Sequence, residues 1–505
     1  MQKNVLEYLD KTALSHSDKM AFGDEQEEMT FEELKRDADA IASTLLKIEA
    51  FRCPIAVYMP NSCDCIRAFM GIAGRGSFYC PVDTAMPLER ASIILNVLKP
   101  AAIITSEKYE KKLKGLGLGI PIIRIEDAKN TPVQAEQLQN IRESLLDLDP
   151  LYVLFTSGST GIPKGVLISH RAVIDYIDWV TEAFDIHDGV VSGNQSPFHF
   201  DNSILDIYGP MKTGSSLYII PRKKFLFPSD LIAYLNEKKI NAICWVPSML
   251  CTVVNLKGLD AQKPLYLNKI IFCGEAMPNK QLNVWRRALP DAMYVNMYGP
   301  TEIVQACTYY IIDRDFADDE PLPIGIPFKN TRIIMLNERD EKVQQGEPGE
   351  LCVCGTCLAL GYYRNPEKTK EAFVQNPLND AFEEKIYRTG DIVKYNDRGE
   401  LLYLSRKDFQ IKHMGHRIEL GEIETAFGGM QGIENCACLY DKEQSRIVMF
   451  YTGEETDSRN LTAFLKKKLS KYMIPDHFIY CTELPYNPNG KIDRIMLKKL
   501  YLTNN

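Results

Sequence analysis

Residues 152–170 read YVLFTSGSTGIPKGVLISH. An apolar run of strand length, YVLF, leads into Thr156, Ser157, Gly158, Ser159, Thr160 and Gly161. Lys164 and Gly165 follow, and then a second apolar stretch. Small residues let backbone N–H groups approach a polyphosphate closely, hydroxyls donate to its oxygens, and Lys164 adds a positive charge. This is not a Walker A loop, which needs Gly before its Lys and Ser or Thr after it. Pro163 and Gly165 hold those places. A strand feeding a phosphate-binding loop belongs to α/β architecture.

The flanking sequence agrees. IAVYMP (55–60), AAIIT (101–105), SSLYIIP (215–221), AICWVP (242–247) and KIIFCGE (269–275) are further short apolar runs. Between them lie helical patterns such as CDCIRAFMGIAG (63–74), PLERASIILNVLK (87–99) and SDLIAYLNEKK (229–239). The alternation predicts α/β folding with buried, mainly parallel sheets from about residue 50 to 310. From about 320 to 405 the texture becomes β-rich, with turns such as NDRGE (396–400). Beyond that, IKHMGHRIELGEIETAF (411–427), LTAFLKKKLSKYM (461–473) and HFIYC (477–481) read as a small α+β unit. The expected organisation is a large N-terminal domain, 1–407, of α/β subdomains with a β-rich subdomain. A small mobile α+β domain, 408–505, completes it.

Composition narrows the function. With 505 residues, 45% apolar and 25% charged, the chain is an ordinary globular protein. Its 59 basic against 67 acidic residues give a net charge of −8, which argues against nucleic acid as a partner. No run of about 18 apolar residues suggests a membrane span. The N-terminal 20 residues read as an amphipathic helix without the features of a signal peptide. Fourteen scattered cysteines are therefore expected as free thiols in a cytoplasmic protein. Cys352, Cys354 and Cys357 form CxCxxC, but a fourth ligand is missing and the alternation suits a strand.

Together with the loop, MTFEEL (29–34), GIAGRGSFYCPVD (71–83), NMYGPTE (296–302), GEPGELCVCG (346–355), YRTGD (387–391), RKDFQIKHMGHRIELGEIE (406–424) and NPNGKIDR (487–494) resemble, in order, the motifs of the adenylate-forming superfamily. Its members include acyl-CoA synthetases, luciferases and adenylation domains of nonribosomal peptide synthetases. The resemblance implies ATP as a reactant and Mg²⁺ as its metal. It implies a first reaction joining a carboxylate to ATP with release of pyrophosphate, and a second passing the acyl group to a thiol. The nucleotide would meet the loop together with Asn296, Met297, Tyr298, Gly299, Pro300 and Thr301. Tyr298 offers a face for adenine, Asn296 an amide for its amine, and Thr301 a donor to the α-phosphate. Glu302 is a hard oxygen ligand suited to Mg²⁺. Asp391 resembles the carboxylate that accepts the ribose hydroxyls, and Tyr403 and Arg406 stand near ribose or phosphate. Asp408 sits at the hinge position, preceded two residues earlier by Arg406 and by Ser405, where the family usually has Gly. Lys491, with Thr301 and Glu302, would be catalytic, its charge offsetting the anions that gather at the α-phosphate.

HFDNSILDIYGP (199–210) resembles the segment of amino-acid-activating members whose Asp pairs with the substrate ammonium. Asp201 takes that role. The pocket carried over by motif is Asn202, Leu205, Cys244, Ile271, Cys273, Met297, Gln305 and Ala306. FCGE beside this segment is similar to the D-alanine–carrier-protein ligases, in which the thiol crowds one enantiomer. Asn202 and Gln305 depart from that group's apolar lining. Either they bond each other, or they bind a polar substrate side chain, since an unpaired buried polar group costs about 1–3 kcal/mol. Both alternatives keep a small amino acid. No Gly-Gly-x-Ser carrier motif follows NPNGKIDR, so a separate phosphopantetheinylated carrier protein is expected as partner. Lys466, Lys467, Lys468 and Lys471 read as a basic strip on one helix, suited to an acidic partner. A monomer is expected, with a CoA ligase for a small carboxylic acid as the alternative.

Overall fold

The computed structural model describes residues 2–158, 162–407, 410–485 and 492–504. It is mixed α/β and forms two compact units. The first comprises 1–84, 98–154 and 165–407. The second gathers 85–97, 155–164 and 408–505.

Two large sheets and one smaller antiparallel sheet build the first unit. A nine-stranded sheet has a parallel centre, running through Met293–Tyr298, Lys269–Cys273, Ala242–Trp245, Val191–Asn194, Ser216–Ile219 and Met20–Gly23. Antiparallel strands flank it at both edges. The seven-stranded sheet is parallel around Pro54–Tyr58. Parallel strands bury both faces, which is why their sequences are near-continuous apolar runs. The helix Phe31–Leu45 starts at a reciprocal capping box formed by Thr30 and Glu33.

The β-rich segment is an antiparallel sheet of Thr331–Leu336, Gly349–Gly355, Lys385–Tyr395, Phe373–Gln375 and Leu401–Arg406. Cys352 and Cys354 lie on the strand Gly349–Gly355 and pack with Leu336 and Ile386. Cys357 packs with Tyr298 and Leu351. Burial pushes the Cys352 and Cys357 thiols up to about 12, so they behave as small hydrophobes. All fourteen cysteines are free.

In the second unit, the hairpin Gln410–His413 and His416–Glu419 precedes the helix Leu420–Gly428 and the three-stranded sheet of Ile433–Asp441, Arg446–Gly453 and His477–Tyr480. The helix Ser458–Lys468 carries Lys466, Lys467 and Lys468. Lys471 departs from the expected strip: it sits in the separate 3-10 turn Lys471–Met473. Leu469 is buried and extended, and this stops the helix before Lys471. Among the described residues, no helix is long and apolar enough to cross a membrane.

Candidate active site

Parallel strands present ligand-binding groups at their carboxyl ends, and side chains alternate between faces along each strand. Cys244, Ile271, Val295 pair in register across three strands, and Cys273 pairs with Met297. Cys244, Ile271, Cys273 and Met297 therefore share one face and one core. Ile243, Trp245, Ile270, Phe272 and Tyr294 belong to the other. Asn296 and Tyr298 alternate with Met297, so a single strand end offers one face to the amino-acid pocket and the other to the candidate nucleotide wall.

On that wall, the Asn296 amide donates to the Pro323 carbonyl at 2.8 Å, which turns its Oδ1 toward the acceptor role an adenine amine needs. The Tyr298 hydroxyl donates to Asp391 Oδ2, while Arg406 Nη1 donates to Asp391 Oδ1 at 2.7 Å. Asp391 and Arg406 face each other across adjacent strands. Asp391 is buried and the Arg406 side chain is 9% exposed, and Tyr403 lies beside Tyr298 with ring centroids 6.3 Å apart. Burial, with Asp391 adding to it, pushes the Tyr298 hydroxyl well above its ordinary range, so it stays a donor.

Gly299 must be Gly, because a Cβ there would meet the Ala306 backbone at 2.4 Å. The chain then turns through Pro300, Thr301 and Glu302. Glu302 is fully buried, and its Oε1 accepts from the Tyr362 hydroxyl at 2.7 Å. A carboxylate has lone pairs beyond the one this bond uses, and Mg²⁺ is commonly held by one or two carboxylates plus substrate phosphates. Glu302 therefore fits the metal as a single hard oxygen donor.

Thr301 is placed differently from a simple phosphate donor: its hydroxyl donates to Asp201 Oδ2 at 2.5 Å. Asp201 opens the short 3-10 turn Asp201–Ser203, followed by the helix Ile204–Thr213, which carries Leu205. Asn202, Gln305 and Cys244 bond one another. Gln305 Nε2 donates to Asn202 Oδ1 at 3.0 Å and to Cys244 Sγ at 3.6 Å. Asn202 Nδ2 donates to Ser196 Oγ at 2.9 Å and to the Cys244 carbonyl at 3.2 Å. Cys273 lies with its thiol 4.0 Å from the Gln305 carbonyl. Ala306 is fully buried in the same core.

In the second unit, Gly158 also tolerates no side chain: a Cβ would stand 2.0 Å from the Ile162 carbonyl oxygen. Ser157 Oγ donates to the Arg417 carbonyl at 2.9 Å and accepts from Glu419 N–H at 3.1 Å. Lys164 Nζ lies 3.7 Å from Glu419. The Thr156 hydroxyl points at the Lys164 carbonyl at 3.5 Å. Ser159, Thr160, Gly161, Asp408 and Lys491 lie outside the described residues.

Sequence reasoning missed several groups. Tyr362 braces Glu302 from a distant strand, and Ser196 anchors Asn202; neither has a local sequence signal. Val304 adopts φ 75° and ψ −68°, with Gln305 N–H donating to the Ile303 carbonyl at 3.1 Å. This is a strained γ-turn at a β-branched residue. Asp206, on the helix Ile204–Thr213, also escaped notice. It lines a small cavity with Leu205, Cys244 and Ile271, and its carboxyl accepts from Asn194 at 2.7 Å.

Burial raises the Asp206 carboxyl from 3.8 to about 8, against the opposing Asn194 bond. Between those values the folded chain holds a proton that the unfolded chain releases. Stability should therefore fall as pH rises from about 4 to 8, by up to about 1.4 kcal/mol per unit from this group, and level off above. Asp206→Asn should lack that component. Melting midpoints measured from pH 5 to 9 check it, and parallel curves for the two proteins would contradict it.

Residues 3–363 match the model of the AMP-binding enzyme family, and residues 422–491 match that of the AMP-binding enzyme C-terminal domain. The chain belongs to the AMP-binding enzyme family. It is 33% identical over 510 residues to the D-alanine–D-alanyl carrier protein ligase of Lactiplantibacillus plantarum, covering 98% of each chain. To the ligase of the same name from Lacticaseibacillus rhamnosus it is 31% identical, again covering 98% of each. Its fold is similar to that of the Vibrio cholerae adenylation domain AlmE, solved with glycyl-adenosine-5'-phosphate. The TM-score is 0.85 at 22% identity, over 99% of this chain and 98% of that one.

Proposed function

We propose that this chain activates a small amino acid with ATP, releasing pyrophosphate, and passes the aminoacyl group to the phosphopantetheine thiol of a separate carrier protein. The observation that carries the reading is Asp201, a carboxylate beside the pocket face of the central sheet, bonded by Thr301. Similarity to D-alanine–D-alanyl carrier protein ligases over nearly the full length supports both the amino acid and the carrier.

Asp201 pairs with the substrate ammonium, fixing the carboxylate at the other end of the substrate. The incoming ammonium takes the place of the Thr301 hydroxyl on Asp201, and Thr301 is then available to an α-phosphate oxygen. Tyr298 and Asn296 receive adenine, while Asp391, held by Arg406, accepts from ribose hydroxyls. Ser157, Gly158 and Lys164 serve the phosphates, and Ser159, Thr160 and Gly161 complete that loop. Glu302 would hold Mg²⁺, which when bound would supply positive charge to the phosphates. Lys491 brings positive charge to the attacking carboxylate and α-phosphate, and Asp408 serves as the hinge between the two reactions. The enzyme works as a monomer in a reducing cytosol, where fourteen free thiols are stable. Lys466, Lys467 and Lys468 offer the carrier a basic face.

Exchange of pyrophosphate into ATP tests the proposal. Amino acids should drive exchange and simple short-chain acids should not. Exchange with acetate- or propionate-like acids alone would make the chain a CoA ligase instead. Cys273 sets the enantiomer preference: Cys273→Ala should shrink the D/L ratio in kcat/KM by about tenfold, the size of a steric difference in a pocket. An unmoved ratio would make the thiol a wall without selective effect.

A further inference from the structure

One buried acceptor beside Asn202 and Cys244 has no partner among the described residues. The Cys244 carbonyl is only an acceptor, so the Asn202 side chain must present its amide N–H₂ there and its Oδ1 on the other side. Gln305 meets that Oδ1 and must present its own N–H₂ to it. The Gln305 amide orientation is thus set by the main chain, through Asn202. Its Oε1 is left over. Gln305 is 1% exposed, and Oε1 makes no hydrogen bond among the described residues.

The position of this oxygen is also fixed. Gln305 follows the strained γ-turn at Val304, and its own carbonyl lies beside the Cys273 thiol. Strain of this kind persists where surrounding packing over-determines the backbone, and it concentrates at ligand sites. Tyr176 supplies a second unpartnered buried group, its hydroxyl. Burial, and then Cys244, Cys273, Asp206 and Asp201 around it, push that hydroxyl well above its ordinary range, so it remains a donor.

We infer that the amino acid this chain activates carries a short side-chain hydroxyl, of the serine or threonine class, which donates to Gln305 Oε1. This rests on the proposed function and names the substrate class within it. A hydroxyl can donate to the leftover acceptor, Gln305 Oε1. A methyl side chain would leave Oε1 unpaired in a dry pocket, the situation in which a site discriminates most strongly against the analogue lacking the polar group.

The test is pyrophosphate exchange by the full chain with serine against 2-aminobutyrate, which replaces the hydroxyl by a methyl, with alanine and glycine alongside and both enantiomers of each chiral acid. In the preferred enantiomer, serine or threonine should exceed 2-aminobutyrate and alanine in kcat/KM by about a hundredfold or more. Gln305→Met keeps side-chain length and removes the acceptor, and it should collapse that ratio by about tenfold or more. Alanine or glycine equal to or above the hydroxylated acids in the unaltered enzyme would overturn the inference and leave amino-acid activation standing; a buried water would then be the partner of Oε1. A ratio unmoved by Gln305→Met, in a variant with normal melting, would overturn it equally. Exchange with no amino acid at all, but with other carboxylic acids, would overturn the proposed function together with it.

Discussion

Asp201→Ala is expected to lower kcat/KM for the preferred amino acid in pyrophosphate exchange by a few hundredfold or more, with ATP binding retained. In the proposed complex the substrate ammonium would lose its assigned anionic partner, which bound substrate would shield from water. Removing one side of such a pair costs about 3–5 kcal/mol, and each 1.36 kcal/mol is about tenfold in rate. Asp201→Asn separates charge from architecture. Its side-chain carbonyl still accepts from Thr301, which donates to Asp201 at 2.5 Å in the native chain. Folding should then be close to native, yet exchange should fall nearly as far as in the alanine variant. Unchanged kcat/KM in either variant would remove Asp201 from the substrate site.

Lys491→Ala is expected to divide the two half-reactions. In the proposed reaction its charge would act where the substrate carboxylate attacks the α-phosphate, so adenylate formation should fall by about 10²–10³, the loss that follows removal of one transition-state donor. Transfer from a supplied aminoacyl-adenylate to the carrier thiol should stay within a few-fold of the native rate, because no charge gathers at Lys491 in that step. The measurement adds synthetic adenylate and holo-carrier to the variant and follows the thioester by mass. A similar fall in both half-reactions would mean that Lys491 acts generally rather than in adenylation.

Much of this was legible because the sequence carries it locally. Gly158 and Gly299 mark places where any Cβ would strike main chain at 2.0 and 2.4 Å, so glycine there betrays the tight backbone. The apolar runs 242–247 and 269–275 read as buried parallel strands because both faces are covered, and they lie in the centre of the nine-stranded sheet. Other features depend on contacts between distant segments. The Thr301–Asp201 bond spans 100 residues and Tyr362–Glu302 spans 60, so no window of sequence contains them. Val304 is an ordinary apolar residue by pattern, and only its positive φ reveals the turn that fixes Gln305. Helical periodicity carried Lys471 onto the preceding helix, whereas burial of Leu469 in the small core ended that helix at Lys468.

Intact mass of a carrier protein tests the central claim most directly. The chain, ATP, Mg²⁺ and a panel of D- and L-amino acids are incubated with a phosphopantetheinylated carrier, with its unmodified form, and with free CoA. The account predicts that the modified carrier alone gains the mass of one small aminoacyl group, in a bond cleaved by hydroxylamine, and that AMP appears in equal amount. No gain on the carrier, with an acyl-CoA formed from a simple carboxylic acid instead, would contradict it.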